Sequence, residues 1–205
     1  AAAFDGITSH TGGLTITGIT PATIAELMTI NAATSGAVVL NTETISFEYT
    51  DTAADLISAF TGITSHTGGL TISDTGTVLA ADLTNISSLT SGPTTATATS
   101  IITGSASEIL TALESITYTN NLGLTIEDTE LANIDQLKAI NAATSGTVLL
   151  DAVTNATAYT DTAANLISAF TGITSHTGGL TVSDTGAVSA ADLTNISSLT
   201  SGATT

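Results

Sequence analysis

Three histidines, His10, His66 and His176, stand in the same Ser-His-Thr-Gly-Gly pentapeptide. Imidazole binds metals and moves protons near neutral pH, so a stacked column of them would make a metal or proton site. The column is broken, because the intervening repeat reads Thr-Tyr-Thr-Asn-Asn at 117–121. Each His therefore reads as a turn residue copied along with its repeat. A second set is Asp74, Asp128 and Asp184, which follow short apolar runs at matching places. Calcium needs roughly six to eight oxygens at one point. Each turn offers one or two carboxylates, with Glu127 and Glu130 beside Asp128 as the exception. The three are weak calcium candidates. Capping the following helix is their simpler role, with Asp74-Thr75-Gly76 as a turn. Ser, His and Asp together invite a hydrolase triad. No Gly-x-Ser-x-Gly elbow is present, however, and every Ser-His pair is repeated instead of unique. No phosphate loop or dinucleotide fingerprint occurs. The expectation is a protein that is not an enzyme and carries no cofactor.

Composition sets the class. The chain has 205 residues, with 45 Thr, 31 Ala, 18 Gly, 18 Asp or Glu, no Cys and a formal net charge of −17. Lys138 is the single Lys or Arg. Binding to nucleic acid or to an anionic membrane surface needs cations that this chain lacks. Disulfides and thiolate metal sites are excluded without Cys. Charge-driven disorder is disfavoured at 42% hydrophobic and 9% charged residues. No apolar run approaches the ~20 residues that span a bilayer. Ala1-Ala2-Ala3-Phe4 does not read as a signal peptide. Depletion of Lys and Arg with enrichment of Thr suits an extracellular surface, where few trypsin-like cleavage points are useful.

Repeats dominate the organisation. Residues 50–92 and 160–202 differ only at Asp55/Asn165, Ile72/Val182, Thr77/Ala187 and Leu79/Ser189, at an offset of 110. Ile-Asn-Ala-Ala-Thr-Ser-Gly at 30–36 recurs at 140–146 with the same offset. One domain over 1–205 is expected, in units of about 1–49, 50–102, 103–159 and 160–205.

Each unit divides into helix, glycine turn and strand. Leu56, Phe60 and Ile63 form one apolar stripe, and Leu83, Ile86 and Leu89 another. Ile24 to Ile30 and Ile134 to Ile140 follow the pattern through Leu27 and Leu137. Thr50 and Thr160 are the expected N-caps, with Asp51 and Asp161 against the helix dipole. Strands are expected at 38–40, 70–72, 124–126, 148–150 and 180–182, with an extra one at 45–49. Thr95, Thr97 and Thr99 would line one face of a further strand. Asn85, Asn155 and Asn195 head N-glycosylation sequons of the kind a Thr/Ser-rich chain gives by chance. Strands joined through helices run parallel with right-handed crossovers. The expected fold class is α/β, an elongated solenoid of short parallel strands and short helices in about seven or eight coils. Its core should include Leu56, Phe60, Ile63, Leu83, Ile86, Leu137, Ile140, Leu166, Phe170 and Ile173.

Thr-Asp-Thr-Ala-Ala-Asp-Leu (50–56), Ile-Asn-Ala-Ala-Thr-Ser-Gly (140–146) and Leu-Thr-Val-Ser-Asp-Thr-Gly (180–186) resemble the Thr/Ala/Asp-rich tandem repeats of very large secreted or cell-surface bacterial proteins, notably of cyanobacteria. The resemblance covers nearly the whole chain and carries no catalytic motif. It implies an extracellular structural or adhesive role. Some such proteins bind calcium through Gly-Gly-x-Gly-x-Asp nonapeptides, whereas residues 66–74 here lack the second glycine pair. The expected function is a filament or surface-layer subunit. An adhesin stalk, or a repeat module binding glycan or ice, is the alternative. The expected partner is another copy, joined head to tail through Ala1, Ala2, Ala3 and Phe4 at one end and Gly202, Ala203, Thr204 and Thr205 at the other. Glycans are a second candidate partner, and membrane insertion is not expected.

Overall fold

The computed structural model describes residues 10–119, 121–127, 131–173 and 176–205. It is a mixed α/β structure in two compact units, one of Ala1–Thr99 with Ser115–Tyr118, the other of Ser100–Glu114 with Thr119–Thr205. The first unit runs β1 (Leu14–Thr15), α1 (Ile24–Ala32), β2 (Val38–Val39), α2 (Thr42–Ile45), β3 (Tyr49–Asp51), α3 (Ala53–Phe60), β4 (Leu70–Ile72), β5 (Thr77–Leu79), α4 (Ala80–Ser88) and β6 (Thr94–Thr95). β7 (Ile101–Gly104) and α5 (Ala106–Ser115) follow, then β8 (Gly123–Ile126), α6 (Ile134–Ala143), β9 (Val148–Leu149), α7 (Ala152–Ala156), β10 (Tyr159–Asp161), α8 (Ala163–Phe170), β11 (Leu180–Val182) and α9 (Ala190–Ser198).

The strands inside each unit pair in parallel, as helix-linked strands must. In the first unit Leu14 pairs with Val38 and Val38 with Ile63, while Tyr49 pairs with Leu70 and Leu70 with Thr94. In the second, Leu124 pairs with Val148 and Val148 with Ile173, while Tyr159 pairs with Leu180 and Leu180 with Thr204. Each turn of chain therefore lays its strand beside the strand of the turn before. The apolar stripes of the helices close over these ladders. All ten expected core residues are buried, with Leu56, Phe60, Leu83, Ile86, Leu137, Ile140, Leu166 and Phe170 at 0% exposure.

Three local expectations are corrected. Thr50 and Thr160 lie within β3 and β10, and the N-caps are Thr52 and Thr162. The helix cannot start earlier, because the Asp51 and Asp161 carbonyls already accept from Ser73 and Ser183 N–H in the ladder. Residues 45–49 are not a strand. Asn41 accepts from the Thr44 N–H at 3.1 Å and starts the short helix α2 through Ile45, so the strand waits until Tyr49. The Thr95–Thr99 stretch is not a single face either. β6 ends at Thr95, residues 97–98 turn, and Thr99 is buried with its hydroxyl donating to the Asp74 carbonyl.

Glycine sets the closeness of the turns. A Cβ on Gly68 would fall on the Phe47 carbonyl of the preceding turn, and one on Gly92 would lie 2.5 Å from the Gly68 oxygen. A Cβ on Gly76, by contrast, would meet nothing within 4 Å. Gly68→Ala should therefore cost about 3 kcal/mol through backbone overpacking. Gly76→Ala should be neutral, or stabilising by about 0.5 kcal/mol through the unfolded chain. Urea midpoints of the two variants against the parent measure this, and equal midpoints would refute the close-approach account.

Candidate functional site

The Ser-His-Thr-Gly-Gly segment is where three turns of chain meet. The His66 ring is buried, with 3% exposure, against Tyr49 of β3 and Phe60 of α3 at centroid distances of 5.7 and 4.6 Å. Tyr49 meets Phe60 edge-on at 5.3 Å, and its hydroxyl donates to the Ala22 carbonyl at 2.6 Å. The backbone around the ring joins the turns on either side. The Thr67 hydroxyl donates backward to the Ile45 carbonyl at 3.1 Å. The His66 carbonyl accepts forward from the Ser91 N–H at 3.1 Å. The Thr90 hydroxyl donates to the Gly68 carbonyl at 2.6 Å and accepts from the Gly92 N–H at 2.9 Å.

The second unit repeats the arrangement in the matching copy of the sequence. His176, 1% exposed, packs on Tyr159 at 5.7 Å and on Phe170 at 4.5 Å. The Tyr159 hydroxyl donates to the Ala132 carbonyl at 2.8 Å. Thr177 donates to the Asn155 carbonyl at 3.1 Å, and Thr200 to the Gly178 carbonyl at 2.6 Å. His10 keeps the backbone part of the motif. Its carbonyl accepts from the Ser35 N–H at 2.9 Å and from the Thr34 hydroxyl at 3.1 Å. Reading the histidines only as turn residues thus misses the buried rings of His66 and His176. Period and turn chemistry mark the segment, but its aromatic neighbours come from a strand and a helix that precede it in the chain.

Neither ring nitrogen of His66 or His176 has a hydrogen-bond partner. Burial pushes both imidazoles below their usual range. At His66 the nearby backbone of Thr44 and Ile45 offsets part of this without reaching hydrogen-bond geometry. Burial, and then the Asp151 charge, push the Tyr159 phenol up to about 12. These are neutral core groups at neutral pH. An open groove of about 800 Å³ runs beside the first junction, lined by Ile63, His66, Ser88, Thr90 and Ser91 among others. Its counterpart of about 560 Å³ is lined by the equivalent Ile173, His176, Ser198, Thr200 and Ser201. Neither lining contains a charged side chain.

The acidic candidates divide. Asp74 Oδ2 accepts from the Ala53 N–H at 2.7 Å, and Asp184 Oδ2 from the Ala163 N–H at 2.6 Å. Both cap a helix, but the helix before them in the chain and not the one after, because parallel pairing brings the exits of β4 and β11 back beside the starts of α3 and α8. Asp128 and Glu130 lie outside the described residues. Among the described residues no three His, Asp or Glu side chains converge. Of the expected assembly residues, Ala1, Ala2, Ala3 and Phe4 also lie outside the described residues. At the other end, the Ala203 and Thr205 carbonyls accept from the Leu180 and Val182 N–H groups at 2.9 and 2.7 Å, which places 203–205 beside β11. Gly202 sits against the Gly178 backbone. No described helix is long and apolar enough to cross a membrane. No family model, curated protein or solved structure matches the chain.

The histidine clusters make a pH prediction with a definite sign. Above the unfolded pKa of about 6.5 both states hold neutral imidazole and no penalty exists. Below it the unfolded chain binds protons that the native chain, with lowered pKa values, refuses, so stability falls as pH drops. A His66→Phe/His176→Phe variant should be more stable than the parent by about 1 kcal/mol or more at neutral pH, where unsatisfied buried nitrogens are removed. Its margin should widen below about pH 6.5. Urea denaturation from pH 8 to pH 5 reads both, and parallel pH profiles would show that the buried rings titrate normally.

Proposed function

We propose that the chain is an extracellular structural protein, an α/β solenoid whose like units stack end to end in a filament or surface layer. The observation that carries the reading is the identity of two ladders in the two copies of the repeat. Tyr49, Leu70 and Thr94 stand in the same parallel register as Tyr159, Leu180 and Thr204. The same Tyr–Phe–His trio, hydroxyl stitch and helix caps surround both, with Phe47 added in the first copy alone. A module that reproduces its inter-turn contacts at a fixed period can be extended indefinitely by adding copies. A contact of this head-to-tail kind is heterologous and propagates instead of closing. The chemistry repeated with most fidelity is cohesion between turns, which is the chemistry a structural element needs. Acidic composition and scarcity of Lys and Arg favour the outside of the cell.

A glycan-binding repeat module is the second reading, favoured by the hydroxyl-lined groove that occurs at both junctions. Negative-stain microscopy of purified protein at pH 4–8, with and without calcium, discriminates. Rods or fibres that lengthen as carboxylates are neutralised support the structural reading. Single particles under every condition would refute it, and saturable binding to an oligosaccharide by such particles would establish the second.

A further inference from the structure

Lys138, on α6, is the only Lys or Arg in the chain. Its Nζ donates to Asn165 Oδ1 on α8 at 2.8 Å. The nitrogen end of the same amide is also held, since Asn165 Nδ2 donates to Asp161 Oδ1 at 2.8 Å. Asp161 closes β10 and is itself fixed by the Thr162 N–H at 2.7 Å. An amine, an amide carbonyl and a carboxylate on the amide nitrogen are thus brought together from α6, α8 and β10. Lys138 and Asn165 are both half-buried. The other contact of Lys138 is loose, an ion pair at 3.6 Å with Asp135, whose side chain is 91% exposed.

The internal copy shows that this trio is a departure from the repeat. At the equivalent positions of the first copy stand Met28 and Asp55, and the Asp55 carboxylate accepts from the Thr52 hydroxyl at 2.9 Å. The contact between the two helices is kept, although Ala25, Glu26 and Thr29 of α1 are Asp135, Gln136 and Ala139 in α6. Asn31 and Asn141 each donate to a carbonyl of their facing helix, Ser58 and Ser168, at 2.9 Å. Where lysine enters the repeat, the facing acid has become an amide. A salt bridge would have been served better by the aspartate, since charge-assisted hydrogen bonds are the stronger kind. An amide in that place gives up ion pairing and offers an acyl carbon with a leaving group.

We propose that Lys138 and Asn165 form an intramolecular isopeptide cross-link between α6 and α8, with Asp161 carrying the proton. The Lys138 ammonium loses one proton to water on its solvent-facing side. The free amine attacks Asn165 Cγ, so the Nζ–Cγ bond forms. The second amine proton passes through one water to the Asp161 carboxylate, which lies outside ion-pair distance of Nζ. Asp161 delivers it to Nδ2, the atom it already holds. The Cγ–Nδ2 bond then breaks, and ammonia leaves and is protonated in water. Ammonium plus primary amide become secondary amide plus ammonium, so the step balances without an oxidant, a metal or an energy source. Fixed proximity supplies the rate advantage of an intramolecular reaction, and the positioned carboxylate adds general acid–base assistance. In a chain without Cys, the product does what a disulfide does elsewhere: it ties two elements together and restricts the unfolded state.

Trypsin tests this without ambiguity, because the 205-residue chain offers it one cleavage point, after Lys138. A lysine locked in an amide is not cut. The matured protein, denatured and digested, should remain whole, and its intact mass should be lower by one ammonia. A protease cutting after acidic residues should release a branched peptide joining positions 138 and 165. Lys138→Gln and Asn165→Ala should keep full mass. Asp161→Ala should slow formation by about 100-fold or more, the lower range for a lost general base. Complete cleavage after Lys138 at full mass, following days at about pH 9 where more amine is free, would overturn the proposal. A loss of ammonia that persists in Lys138→Gln would overturn it too, since that marks an asparagine closing on its own backbone.

Discussion

Close backbone approach between successive turns is the constraint from which the rest of each unit follows. Parallel strands need a spacing of about 4.8 Å, and here the flanking loops approach without room for side chains. At Gly68 and Gly92 the neighbouring carbonyls occupy the space where a Cβ would be. With backbones so close, the polar groups that face the next turn must be satisfied there. Threonine does this. Thr34, Thr90, Thr144 and Thr200 each hold their own Gly N–H, or donate to the carbonyls of the turn before, or do both. The abundance of Thr and Gly in the composition is thus in part a consequence of packing, beyond any surface character.

Charge is managed without cations. A chain with a net charge of −17 and one lysine cannot neutralise its carboxylates in salt bridges. It places several of them instead at helix starts, where free N–H groups and the dipole favour anions. Thr23 with Glu26, Ser105 with Glu108, and Asn133 with Gln136 form reciprocal caps. Hydrogen bonds from the cap residues hold Glu26 and Glu108 below the usual carboxylate range. The Asn165 amide, then the Thr162 N–H, and last Lys138 do the same for Asp161. Their folded pKa values are lowered, so this stabilisation is present at neutral pH and is lost as pH falls through the carboxylate range.

The two copies of the aromatic cluster show what the repeat keeps and what it leaves free. Tyr–His and Tyr–Phe centroid distances are 5.7 and 5.3 Å in both copies, and the Phe–His distances are 4.6 and 4.5 Å. Each ring fills space between a strand, a helix and the next loop, so truncating one to a small side chain would open a cavity against the other two. Just outside 50–92 and 160–202, Phe47, edge-on to Tyr49 at 5.0 Å, is replaced by Thr157 in the other copy. Within those ranges the four substitutions avoid the Tyr, Phe and His rings. They fall instead at Asp55/Asn165 on a helix pair, at the apolar exchange Ile72/Val182, and at Thr77/Ala187 and Leu79/Ser189, where Leu79 is 50% exposed.

The sequence by itself determined the repeat, the helix stripes and the core, because amphipathic period and near-identity are local or self-referential signals. Leu56, Phe60, Leu83 and Ile86 are core whatever their neighbours turn out to be. It also marked the Ser-His-Thr-Gly-Gly segment as special through recurrence. Only the tertiary structure decided what that segment does. The burial of His66 depends on Tyr49 and Phe60, and the direction of the Asp74 cap depends on β4 lying beside β3. The shift of the N-cap from Thr50 to Thr52 arises because a ladder partner claims the Asp51 carbonyl. The meeting of Lys138 with Asn165 and Asp161 depends on the α6–α8 contact. Each of these joins elements separated in the chain, or ties a local choice to a distant hydrogen bond. Local pattern carries no information about which turn lies next to which.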